Sequence, residues 1–405
     1  MSQNPEALRL QTSAEQRAGR SPFLKILELL LLAFCTLTFL LPSLTTAGIL
    51  LGKNAVNARD YIEYWASGQQ LVHHGDPYDG AALLPVERAG GLPDGVDVII
   101  TPNPPTALPL LLPLGFVSAM HGSRLWSLLL FVSFVASVRM VRAMHGSPKN
   151  YLHWLGYSFA PAIVCLARGQ VGLLILVGLV LFLRFYRTRP LLAGACLWLC
   201  ALKPHLFLPF GVVLIAWVIA SRSYKVLLGA GGAIALSAAL MTLVDRAVWT
   251  QYARMMSTSR IDKIPIPCLS NMLRRAISPD TMWLQYVPAA VACIWALAYF
   301  RRHKDDWDWL EHGSLVVLVS VLVAPYTWLI DQAILIPALL HAVYVSRSRT
   351  VVAMLALASA AIQLSPFMVQ ELTHSVLYAW TAPAWVAIYL VATRSSSVSR
   401  PAVAV

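Results

Sequence analysis

Runs of close to 20 apolar residues recur along the whole sequence, each long enough to cross a hydrocarbon core. Lipid cannot hydrogen-bond open backbone groups, so such a chain is confined to spanning helices or a closed barrel, and runs this long and continuous specify helices. Of the 405 residues, 58% are hydrophobic and only 12% charged, against about 25% charged in a soluble domain. The expected fold is an all-α polytopic transmembrane bundle. Spans are placed near 24–48, 124–143, 151–166, 171–185, 190–202, 205–221, 226–244, 284–300, 311–325, 330–346, 351–367 and 376–393. The fifth and ninth are short for a full crossing and invite a tilted or broken helix. The run beginning near Phe23 is too long for a signal-peptide core and lacks a small-residue cleavage site, so it reads as a retained first span. The expected organisation is a tail at 1–22, one transmembrane domain over 23–393 and a tail at 394–405.

The net charge of +12 does not describe a nucleic-acid surface. Basic residues sit at the ends of apolar runs, with no basic face interleaved with aromatics, so no nucleic-acid partner is expected. With both termini placed in the cytoplasm, short inner connections collect most of the Lys and Arg, among them Arg139, Arg142, Arg184, Arg187, Arg301 and Arg302. That agrees with the positive-inside rule and implies a multi-pass protein with both ends on the inner side. The cysteines lie mostly within apolar runs and read as small apolar residues. No acidic pair or His/Cys group at metal-binding spacing stands out, so neither metal nor cofactor is expected.

Two outer segments, about 49–123 and 245–283, are too long for turns. The first contains an apolar stretch, Ala107 to Val117, broken by Pro109 and Pro113; it is too short to span and is expected to lie on the interface as an amphipathic or re-entrant helix. Polar residues near the membrane boundary are costly, and they gather on this side. In Asp60-Tyr61-Ile62-Glu63-Tyr64-Trp65, a helix puts Asp60 and Tyr64 on one face with Glu63 beside them. Carboxylates with aromatics suit a sugar, although an interfacial anchor would look similar. Arg168-Gly169-Gln170 is a short turn able to offer donors to a phosphate, or a simple Arg anchor. Lys203-Pro204-His205 places two cationic side chains where a helix opens. The second outer loop carries Arg254, Arg260, Lys263 and Arg274, and Trp328 to Asp331 brings a carboxylate to the mouth of a span. Carboxylates, cationic donors and aromatics together suit sugar transfer from a phosphate leaving group: a carboxylate as general base, Arg and Lys neutralising the departing charge.

The order of these segments resembles the family 87 glycosyltransferases of the GT-C class. The pieces that carry it are Asp60 to Gly68 with Pro77-Tyr78-Asp79; Asn103-Pro104-Pro105 leading into Leu110 to Leu114; Gly169-Gln170-Val171; Ala193-Gly194 then Leu202-Lys203-Pro204; Ser270-Asn271 with Arg274; and Thr327-Trp328. The resemblance implies a polyprenyl-phosphate-sugar donor, often mannose, a lipid-linked or envelope glycan acceptor, and an inverting displacement facing outward. It implies Asp60 as general base. It places Gln170 and Lys203 at the donor phosphate; the reading of the residues themselves adds Arg168, His205 and Arg274 there, and puts Glu63, Tyr64, Trp65, Trp328 and Asp331 at sugar or acceptor. The sequence departs from the family where a Tyr-Pro-Pro element reads Asn103-Pro104-Pro105, and where a His after the Ser/Thr-Trp pair is missing, with Asp331 nearby. Two other classes remain: a polytopic lipid or small-molecule transporter, which calls for repeats and mid-span ionisable residues, and a non-catalytic subunit of an envelope polymer system, which has no need of Asp60.

Overall fold

The structure, a computed structural model, describes residues 22–51, 59–259, 263–346, 348–365 and 376–397. The basic N-terminal tail, Arg260 and the end of the Ser-rich C-terminal tail lie outside the described residues. Among the described residues the chain is helical without strands. It is an all-α polytopic membrane bundle. Helix α1 is Pro22–Leu51, followed by α2 (Arg59–Val72) and α3 (Gly80–Ala89) of the first long loop. The bundle continues with α4 (Ala119–Met144), α5 (Trp154–Tyr157), α6 (Ala160–Arg168), α7 (Gly172–Phe185), α8 (Pro190–Cys196), α9 (Leu208–Ser221) and α10 (Tyr224–Val244). The second long loop holds α11 (Val248–Thr258) and α12 (Leu269–Ile277). The last elements are α13 (Val287–His303), α14 (His312–Leu322), α15 (Ile336–Ser346), α16 (Arg349–Leu364) and α17 (Thr381–Ser397).

The expected spans do not all appear, among the described residues, as helices long enough to cross. Among the described residues, six helical segments are long and apolar enough to cross: Ala119–Met144, Pro204–Ser221, Tyr224–Val244, Met282–His303, Leu329–Ser346 and Val376–Arg394. Five shorter apolar helices accompany them, including Gly172–Phe185, Pro190–Leu202 and His312–Leu322. The span expected at 151–166 breaks into α5, of four residues, and α6, of nine. Phe159 is extended between them and Pro161 occupies the first turn of α6, where its missing N–H costs nothing. The apolar stretch 107–117 is not one interfacial helix either. It forms two 3-10 turns, Pro105–Leu110 and Leu112–Phe116, because Pro109 and Pro113 deny it a continuous α-helical ladder.

Backbone-to-backbone contacts through glycine hold two parts of this frame. A Cβ on Gly115 would lie 2.1 Å from the Gly68 carbonyl oxygen, and one on Gly68 would lie 2.5 Å from that of Leu111. Helix α2 therefore rests directly on the second 3-10 turn. The contact is pinned by hydrogen bonds from Trp65 Nε1 to the Val117 carbonyl (2.9 Å) and from Gln69 Nε2 to the Gly115 carbonyl (2.9 Å). In the bundle, a Cβ on Gly194 would come within 1.9 Å of the Val226 carbonyl, and one on Gly229 within 2.0 Å of Leu191's, so α8 and α10 cross with no side chain between them. Trp198 Nε1 and Ser237 Oγ both donate to the Thr106 carbonyl, tying that crossing to the first long loop. Helix α7 runs from this end of the bundle to the other, where the Tyr186 hydroxyl and the Arg187 guanidinium both reach Asp308 Oδ2, at 2.9 and 3.0 Å.

Candidate functional site

Four segments that are far apart in sequence meet at the end of the bundle where the long loops lie. The first is α2, whose amphipathic 14 residues put Tyr61 and Tyr64 into the core. Its position is set by the Gly68–Gly115 contact and by the Tyr61 hydroxyl donating to the Ala119 carbonyl at 2.9 Å. The second is the turn after α6. Gly169 closes that helix in the left-handed region (φ 74°), a conformation glycine adopts without a side-chain penalty. Its carbonyl accepts from Trp126 Nε1 at 2.7 Å. The third is the interruption between α8 and α9, where Pro204 breaks the ladder and Lys203 stands in neither helix. The fourth is the 3-10 turn Leu329–Leu335, entered from an extended Trp328.

These segments bring Asp60, Tyr64, Gln170, Lys203 and Asp331 into one hydrogen-bonded line. Gln170 Nε2 donates to Asp60 Oδ2 at 2.9 Å. Gln170 Oε1 accepts from the Tyr64 hydroxyl at 2.8 Å and from Lys203 Nζ at 3.3 Å. Lys203 Nζ donates to Asp331 Oδ1 at 2.6 Å. Asp331 Oδ2 accepts from the Trp328 backbone N–H at 2.9 Å, so one carboxylate both caps its own helical turn and pairs with the lysine. The pair is buried, with Lys203 8% and Asp331 1% exposed. Burial works against the Lys203 charge, but attraction and a hydrogen bond from Asp331 outweigh it and hold the ammonium above its ordinary value. Beside the line, Glu63 is 4% exposed. Burial pushes its carboxyl well above the usual carboxylate range, and the neighbouring Asp60 adds to that.

Around the Lys203–Asp331 pair, His205 stacks on Tyr326 with ring centroids 4.0 Å apart. His205 Nε2 and Trp328 Nε1 are buried there without a hydrogen-bond partner. The second long loop braces the approach to Trp328: Ser270 Oγ donates to the Val323 carbonyl at 2.9 Å, and Gln285 Nε2 donates to the Pro325 carbonyl.

Other expected site residues lie outside this line. Trp65 is buried between Val117, to which its ring N–H donates, and Gly90, which leaves its face no room for a sugar. Arg274 is buried at 1% and donates to the Pro279 carbonyl and the Met282 sulfur within the second loop. Arg168 is half-buried in the last turn of α6, one residue before Gly169. The sequence places Asp331 at sugar or acceptor and does not foretell its pairing with Lys203. Trp126, which packs on Tyr64 with centroids 5.4 Å apart, gave no signal because it lies in an apolar run.

The family model for glycosyltransferase family 87 matches residues 101–325, more than half of the chain. The match includes Gln170, Lys203, His205 and Arg274; Asp60 precedes it, and Trp328 and Asp331 follow it. No curated protein and no solved structure matches the chain. The chain belongs to glycosyltransferase family 87, and its activity is glycosyl transfer.

Proposed function

We propose that this family 87 enzyme moves a hexose, with mannose the first candidate, from a polyprenyl-phosphate donor to a lipid-linked or envelope glycan acceptor. The reaction takes place at the extracytoplasmic face of a bacterial inner membrane. Asp60 is the general base of an inverting displacement. The acceptor oxygen bonds to the anomeric carbon as the bond from that carbon to the phosphate oxygen breaks. The electron pair leaves with polyprenyl phosphate, and the acceptor proton passes to Asp60.

The observation that carries this reading is the line from Asp60 through Gln170 to Lys203. It puts a half-exposed carboxylate and a buried ammonium in one small region, as a base and a leaving-group counter-charge require. One hydrogen bond from Gln170 leaves the Asp60 carboxylate acceptor capacity for a hydroxyl proton. The unpartnered His205 Nε2 and Trp328 Nε1 are nitrogens that a phosphate or a sugar hydroxyl can engage. The surrounding apolar helices suit a donor whose tail stays in lipid.

The test uses purified protein in lipid nanodiscs with a panel of polyprenyl-phosphate sugars, reading transfer and donor hydrolysis. Asp60→Asn is expected to lower transfer about 10²–10⁴-fold, the usual worth of a general base, with folding unchanged. Near wild-type turnover in that variant refutes the mechanism. Lys203→Ala is expected to raise the donor concentration needed for half-maximal rate.

A further inference from the structure

We infer that Gln170 is the positioning residue of Asp60. The inference rests on the reading of Asp60 as the base.

The argument begins with which end of the amide points where. A lysine ammonium can only donate, and an ionised carboxylate, the form a general base requires, can only accept. Lys203 Nζ lies 3.3 Å from one end of the Gln170 amide, and Asp60 Oδ2 lies 2.9 Å from the other. The first must be the amide oxygen and the second the nitrogen, so the orientation follows from the partners. The Tyr64 hydroxyl, also donating to Oε1, uses the second lone pair of that oxygen. The oxygen is thereby taken up by two protein donors, and the nitrogen gives one of its two hydrogens to Asp60. An amide oxygen cannot donate to a phosphate, and the nitrogen is turned to Asp60. The backbone is fixed as well: the Gln170 N–H donates to the Cys165 carbonyl at 3.1 Å, and its carbonyl accepts from Cys165 Sγ. Gln170 thus holds the base by one oxygen while its own oxygen is held by Tyr64 and Lys203.

The titratable and charged groups around Asp60 bear on any pH readout. Its own helix carries Glu63 and Tyr64, α3 carries Glu87 and Arg88, the first turns of α4 carry His121 and Arg124, and α6 carries Cys165 and Arg168. Lys203 and Asp331 complete the set across the site.

Three variants in nanodiscs with a polyprenyl-phosphate sugar decide the matter, with KM read as binding under conditions where chemistry is slow. Gln170→Met keeps the volume and removes both polar ends. It is expected to lower kcat at least tenfold and change the donor KM less than threefold. Gln170→Glu places a second carboxylate against Asp60. It is expected to move the acid limb of the kcat/KM–pH profile upward by about one unit or more, because two close carboxylates retain a shared proton. A merely structural role would move neither the KM-against-kcat split nor the pH limb. A tenfold rise in donor KM with kcat held, or an unmoved acid limb, overturns the inference. Asp60→Asn is assayed alongside: if it stays active, the proposed base fails, whereas an inactive Asp60→Asn with a KM-only effect at Gln170 removes the positioning role alone.

Discussion

Asp331→Asn removes one charge from an ion pair of 2.6 Å, in which the lysine side chain is 10% and the aspartate side chain 1% exposed. At an effective dielectric near 20, two unit charges at that distance attract by about 6 kcal/mol. Most of that attraction offsets the cost of taking both groups out of water, so the informative quantity is the loss when one partner goes. Stranding a buried charge costs about 3–5 kcal/mol. Asparagine keeps the shape but only one acceptor oxygen, so its amide nitrogen must face either Lys203 or the Trp328 N–H, and a loss of at least about 3 kcal/mol is expected. At about 2 °C per kcal/mol for a large domain, the melting temperature should fall by about 6 °C. Four of the six free cysteines are buried, so a thiol-reactive fluorophore reports unfolding directly in detergent. The decisive comparison is the double variant Lys203→Met/Asp331→Leu. Replacing both members by apolar groups of similar size should restore most of the lost stability, while transfer stays abolished. If Asp331→Asn melts with the wild type, or the double variant melts no higher than the single one, the pair is not the desolvated bridge described above.

Burial raises the Glu63 carboxyl far above its ordinary value of 4.5, so the folded state binds a proton that the unfolded state has released. Stability from this group is complete below about 4.5 and falls as pH rises toward the folded value; Glu63→Gln should therefore flatten that decline in a melting-temperature series and raise the melting temperature at neutral pH. Gly115→Ala puts a methyl 2.1 Å from a backbone oxygen that has no rotamer with which to yield, so a loss of about 1–3 kcal/mol is expected by thermal unfolding, and an unchanged melting point would disprove the close contact. Trp65→Phe removes the N–H that donates to the Val117 carbonyl; it should cost about 1 kcal/mol and leave sugar and acceptor KM values unchanged, whereas a large rise in either would put the indole back at the substrate.

What could be read from the chain depended on whether the signal was local. Apolar runs announce helices because membrane solvation acts on each segment separately, and eleven of the twelve expected segments recur as apolar helices. The one at 151–166 misled because hydropathy averages over the Phe159 kink and Pro161, which decide where the ladder stops. At the site, Asp60, Gln170 and Lys203 were legible as polar residues in costly places, and they do meet. Their roles relative to one another were not legible. That Asp331 faces Lys203 across 128 residues depends on how α7, α8 and α15 pack, and no spacing in the sequence encodes it. Trp65 and Arg274 carry the residue types of a binding site, yet a single backbone contact or turn gives each a packing duty.

The shortness of α7 and α14 bears on where the membrane surface lies. Helices of 14 and 11 residues rise about 21 and 16 Å, well under the about 30 Å of a typical hydrocarbon core. Beside the longer α4, of 26 residues, these elements leave the bundle uneven in height. Both short helices are buried among their neighbours along most of their length, so the protein itself covers the low side. The turn at Gly169 stands just before α7 and Lys203 just after α8, so the line of Asp60, Gln170 and Lys203 lies where short columns stop. For the proposed polyprenyl-phosphate donor, a polar line set at the end of short columns would spare the phosphate a passage along the full height of the longest helix.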